Sequence, residues 1–208
     1  PTVREQFKTL GPSLSSLNLE YLDYGFGFRS EISFEEMKAL FAMVTRYKKL
    51  ALAFHEVQFF QLLSPLCERL EEVDLRCSYY DETYNLHRLA CSKELKDFLE
   101  HATKLKKLEL DGIDCNAVIP LFSQIPDLTA LWLGKQCFGM TRKTVDEIAT
   151  HAPELQELCL GVSDDIDDDD DVTHALFTEA LLSLTKLSKL KKLNLKGFVM
   201  TDAVMQEI

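Results

Sequence analysis

Leucines recur along the chain in a six-residue pattern, apolar at the first, fourth and sixth positions with polar or small residues between. It reads LSSLNL from Leu14, LEEVDL from Leu70, LKKLEL from Leu105, LTALWL from Leu128, LQELCL from Leu155 and LKKLNL from Leu190. A degenerate copy, YKKLAL, starts at Tyr47. Alternation over so short a window predicts a strand with one buried face. The starts at 14, 47, 70, 105, 128, 155 and 190 are 33, 23, 35, 23, 27 and 35 residues apart. Between the hexads the apolar period becomes helical. Phe34, Met37, Leu40, Phe41 and Val44 show it, as do Leu95, Phe98 and Leu99. So do Val118, Leu121, Phe122 and Ile125, and again Val145, Ile148 and Ala149.

Each unit therefore reads strand, loop, helix, then a parallel strand. A doubly wound sheet also alternates these elements, but its units rarely shrink to 23 residues. Nor does it need one leucine triplet in every strand. Stacked units burying a continuous leucine seam explain both facts. The expected fold class is α/β: a leucine-rich-repeat solenoid with about seven parallel strands on the concave side and helices on the convex side. Residues 1–208 form a single domain in this reading. Pro12, Pro126 and Pro153 lie two residues before a hexad's first leucine, where proline ends a helix and begins an extended segment. Cys67, Ala102 and Ala152, three residues before that leucine, are small enough to let the helix end approach the sheet. Thr2 to Leu10 reads as an N-terminal cap, and the last residues as a helix cut short, so the chain reads either as part of a longer array or as one whose C-terminal end something else covers.

The positions between the leucines form columns across the strands, with neighbours about 4.8 Å apart. The first is Ser16, Lys49, Glu72, Lys107, Ala130, Glu157 and Lys192. The central column is Asn18, Ala51, Asp74, Glu109, Trp132, Cys159 and Asn194. The last is Glu20, Ala53, Arg76, Asp111, Gly134, Gly161 and Lys196. In this arrangement Lys107 offsets Glu72 and Arg76 offsets Asp111, while Asp74 and Glu109 form an uncompensated like pair. Trp132, the chain's single tryptophan, stands on an open floor of Ala130, Gly134, Cys159 and Gly161, with the Cys159 thiol accessible. An exposed indole at the centre of a concave face is a good anchor for a partner.

Three long inserts follow the strands that start at 14, 70 and 155, along one rim. The first carries Tyr21, Tyr24, Phe26 and Phe28, and the second Tyr79, Tyr80 and Tyr84. Aromatic loops make large contacts at low rotamer cost. The third holds Asp164, Asp165, Asp167, Asp168, Asp169, Asp170 and Asp171, a run whose self-repulsion favours a solvated loop. It lacks the glycine and closing glutamate of a calcium loop, so no metal site is expected.

That run supplies seven of the net −11 charges and leaves about −4 for the rest, so nucleic-acid backbone is excluded as a partner. No apolar run nears the roughly 18 residues of a membrane span. The six cysteines contain no C-x-x-C pair, which disfavours metal fingers and points to reduced thiols in an intracellular protein, cytoplasmic or nuclear. The histidines at 55, 87, 101, 151 and 174 are scattered; His101 and His151, four residues before a hexad, read as helix-end residues. No nucleophile elbow, zinc-protease helix or phosphate loop appears, so neither catalysis nor a cofactor is expected.

The stretches LLSPLCERLEEVDL (Leu62 to Leu75), ATHAPELQELCL (Ala149 to Leu160) and LNLKGFVMTDAVMQEI (Leu193 to Ile208) resemble the long-helix, cysteine-containing repeats of F-box proteins, which are of the ribonuclease-inhibitor type. Cys67 matches the first family cysteine, while Ile113 and Phe198 replace the second. The resemblance implies a non-catalytic substrate-recognition part of a ubiquitin ligase. The F-box itself is not among these residues, so ligase components would be reached through segments outside this chain. From the columns, the expected function is binding of a protein or peptide on the concave face and aromatic rim. Trp132 is the anchor and Asp74, Glu109 and Asp111 select basic residues, with Arg76, Phe26, Phe28, Tyr79 and Tyr80 in contact. The alternative is an acidic chaperone or regulator that holds basic partners such as histones through Asp164 to Asp171.

Overall fold

A computed structural model of the protein describes residues 21–24, 34–43, 48–54, 61–77, 93, 95–113, 116, 118–134, 137, 142–161 and 183–196. Seven strands form one parallel sheet: β1 (Tyr21–Tyr24), β2 (Lys49–Phe54), β3 (Glu72–Cys77), β4 (Lys107–Asp111), β5 (Ala130–Leu133), β6 (Glu157–Gly161) and β7 (Lys192–Lys196). Their order across the sheet is their order in sequence. From β2 to β7 each strand begins at the third residue of its hexad, and the register sets leucine against leucine.

Two rows of apolar side chains thus cross the sheet on one face. Leu50, Val73, Leu108, Leu131 and Leu158 form one, and Leu52, Leu75, Leu110, Leu133 and Leu160 the other; each residue is at most 2% exposed. Burying one such side chain contributes about 2 kcal/mol. At β7 the rows end in Leu193 and Leu195, which are only partly buried. The helical segments pack on this leucine face. They include α1 (Phe34–Met43), which contributes Met37 and Phe41, and α2 (Arg142–His151), which contributes Val145, Ile148 and Ala149. A short helical stretch, residues 95–99, adds Leu95, Phe98 and Leu99.

The junctions into the strands repeat one backbone arrangement. The amides of Leu105, Leu128, Leu155 and Leu190 donate to the carbonyls of Ala102, Ile125, Ala152 and Leu187, each three residues back. One carbonyl per neighbouring unit then accepts two successive amides: Glu71 from Lys106 and Lys107, Lys106 from Thr129 and Ala130, Thr129 from Gln156 and Glu157. Cys67, Ala102 and Ala152 are all buried at these turns, as their size suggested.

Two expectations need correction. The first described strand does not belong to the hexad from Leu14, which lies outside the described residues. β1 pairs Tyr21 with Lys49 and Leu22 with Leu50, so its unit starts at Leu19, as LEYLDY. That segment also satisfies the apolar alternation, and Tyr21 and Tyr24, read as loop aromatics, are strand residues. Asp23 thereby takes the central-column place beside Ala51 that was given to Asn18. Secondly, the helix read from Val118 to Ile125 is a 3-10 segment, Ile119–Gln124, with proline in its first turn. Apolar residues three apart suit a three-residue turn as well as an α-helix, and the 23-residue spacing leaves no room for more. The 35-residue unit before β7 is described at its return as another 3-10 segment, Leu184–Lys186.

Candidate functional site

The sheet face opposite the leucine rows carries the polar columns. Its centre is Trp132 on β5, paired with Glu109 on β4 and Cys159 on β6. The indole is partly exposed, and two lysines reach it from opposite sides of β5. The Lys107 Nζ on β4 lies 4.2 Å from the ring centroid, and the Lys192 Nζ on β7 lies 5.7 Å from it. Ammonium groups at these distances are attracted by the ring's negative face, by about 0.5–1 kcal/mol for an exposed pair.

The open floor expected around the ring is therefore furnished. Cys159 is 6% exposed, not accessible, and burial pushes its thiol up from the ordinary value. Gly134 lies under the Asp111 carboxylate, which a Cβ at that position would overlap. The sequence singled out neither lysine as a neighbour of the indole; it set Lys107 against Glu72, which pairs with Lys49 instead. The signal was there, since both stand in the column next to that of Trp132, and long stems let a charged head cross a column.

The Asp74–Glu109 pair also differs from expectation. Arg76, in the strand register opposite Asp111, turns its guanidinium to Asp74 in a two-pronged contact, Nε to Oδ1 at 3.0 Å and Nη2 to Oδ2 at 2.7 Å. The same Nη2 reaches Glu109 Oε1 at 3.4 Å. The like pair is thus bridged by a cation, and the fork geometry favours that choice. Desolvation, followed by the neighbouring Asp74 charge, still holds the Glu109 carboxyl above the usual carboxylate range. The hydrogen bond to Asp74 raises Arg76 further. Between Lys49, Glu72, Asp74, Lys107 and Glu109 lies a shallow hollow of about 100 Å³ over Ala51.

Charges along the strand entries are largely matched between neighbours. Glu71 receives Lys48 at 3.2 Å and Lys106 at 2.7 Å, and their hydrogen bonds, that of Lys106 foremost, pull its carboxyl below the usual value. Glu72 pairs with Lys49 at 2.6 Å, and Glu157 with Lys192 at 3.2 Å. Exposed pairs of this kind add little stability and serve mainly to reinforce register.

The structure brings Asp74, Arg76, Glu109, Asp111 and Trp132 onto one sheet face, in the columns read from the hexads. Phe26, Phe28, Tyr79, Tyr80 and the acidic run Asp164 to Asp171 lie outside the described residues. His101 ends its helical stretch with Nδ1 2.9 Å from the Asp97 carbonyl, and His151 sits in the last turn of α2. Among the described residues no group of acidic, histidine or cysteine side chains could hold a metal ion, and no helix is long and apolar enough to cross a membrane. No family model and no curated protein matches the chain.

Proposed function

We propose that the chain is a leucine-rich-repeat solenoid whose strand-lined face, the concave side of the stack, recognises a protein or peptide. One observation carries the reading. Seven parallel strands stand in sequential order, and from β2 to β7 their described hexad leucines turn to one face and leave the other with charged side chains around a partly exposed indole. A helix-covered, doubly wound sheet would reverse its strand order and cover both faces. Stacked repeats keep theirs and leave the strand face free as an extended binding surface. The reading assigns no catalysis to the face. Its resemblance to F-box repeats makes substrate recognition for a ubiquitin ligase the specific form of the proposal.

In this reading Trp132 is the anchor. The carboxylates expected to select basic residues are secondary, because Arg76 already holds Asp74 and Glu109, and a basic partner must displace it. The test is capture of partners with the full chain, followed by affinity measurement with Trp132→Ala. Truncating a central aromatic anchor weakens binding by roughly 2 kcal/mol or more, which is about thirtyfold in Kd. A partner whose affinity is unchanged by the substitution is not bound on this face, and the proposal fails.

A further inference from the structure

We infer that the centre of the strand face takes an acidic side chain, an aspartate or glutamate carboxylate of the bound segment, beside Trp132 and between Lys107 and Lys192. The inference rests on the recognition reading above and adds the charge of the residue recognised there.

The charges around the indole are unevenly matched. Lys192 shares its ammonium with Glu157 at 3.2 Å. Lys107 makes no ion pair among the described residues, because Glu72, its neighbour in register, pairs with Lys49 instead. Glu109 is within 3.4 Å of the Arg76 guanidinium. Lys196, one column over on β7, adds a third positive charge that acts on both Glu109 and Cys159. The acids nearest the ring are thus engaged, while the ammonium nearest to it lies over the π face and feels Glu109 only through space, without a direct ion pair among the described residues.

A partner's lysine or arginine would have to displace Lys107 from that face and be desolvated against two like charges. A carboxylate meets two donors of the right sign, and a charge-assisted hydrogen bond is about twice as strong as a neutral one. The indole supplies an apolar wall that excludes water from the contact and strengthens it. The hollow over Ala51, with Lys107 in its wall, provides space for the residue next to the acidic one.

Because Trp132 is the only tryptophan, its emission reports binding at this point directly. The probes are short peptides selected from a random displayed library on the full chain, then synthesised and titrated against wild type, Lys107→Gln, Lys192→Gln and Trp132→Ala. The expected result is peptides rich in Asp and Glu that change the emission of Trp132. Their affinity falls about tenfold or more in Lys107→Gln. Replacing the key peptide Glu by Gln weakens binding to wild type by a similar factor, but hardly to Lys107→Gln, which separates a direct contact from a folding defect. Peptides that depend on Trp132 yet are basic, or are indifferent to both lysines, overturn the inference and leave the recognition face standing. Recovery of no peptide that depends on Trp132 overturns the recognition reading itself, and the inference with it.

Discussion

The same leucine truncation should cost very different amounts along one row of the sheet. Leu131 and Leu193 occupy equivalent hexad positions, but Leu131 on β5 is fully buried while Leu193 on the edge strand β7 is only partly so. Leu131→Ala removes about three methylene-sized groups from contact, or about 2.4 kcal/mol of transfer free energy at roughly 0.8 per group. The gap between Leu108 and Leu158 collapses incompletely, which adds about 1 to 2 kcal/mol and brings the total to about 3 to 4. For Leu193→Ala about half the transfer term applies and no closed cavity forms, so about 1 kcal/mol is expected. Urea unfolding of the full chain followed by far-ultraviolet circular dichroism measures both. Costs equal to within about 0.5 kcal/mol, the usual error of such comparisons, would refute the graded burial of the leucine rows and the stacking argument built on it.

Other outcomes follow from the polar face. Gly134→Ala should displace the Asp111 carboxylate and destabilise the chain by about 1 kcal/mol, and a double-mutant cycle with Asp111→Ala should recover most of that loss; additivity would show that the two do not touch. Glu109 and Glu71 should have opposite pH signatures. The raised Glu109 carboxyl gives stability that is present below the ordinary value of 4.5 and lost as pH rises through its folded value, so Glu109→Gln should gain on wild type from acid to neutral pH. The lowered Glu71 carboxyl gives stability present above 4.5 and lost on acidification, so Glu71→Gln should lose most against wild type at neutral pH, and stability curves with the same slope for both variants would contradict these assignments. Cys67 and Cys159, buried and with thiols pushed up by desolvation, should alkylate far more slowly in the native chain than in urea, as peptide mapping would show; equal rates would place them at the surface.

Much of this architecture is written locally. Alternation of apolar and polar residues decides which side chains share a face, and identical hexads can pair only with leucine against leucine without exposing their apolar row. Six of the seven strands, their parallel register and the columns holding Asp74, Arg76, Glu109, Asp111 and Trp132 were legible on that ground alone. The first strand was not, because LSSLNL and LEYLDY satisfy the alternation equally and only pairing with β2 chooses between them. Nor could apolar residues spaced by three and four tell the 3-10 segment Ile119–Gln124 from an α-helix. The site's electrostatics were beyond the pattern for a related reason. A column fixes where a Cβ stands, whereas a long side chain spends its charge wherever its head can reach. Arg76 therefore clasps Asp74 on its own strand and leans to Glu109, and Lys107 settles over Trp132 instead of joining Glu72. Those choices are settled by reach, desolvation and competition among neighbours in three dimensions, which periodicity along one dimension does not encode.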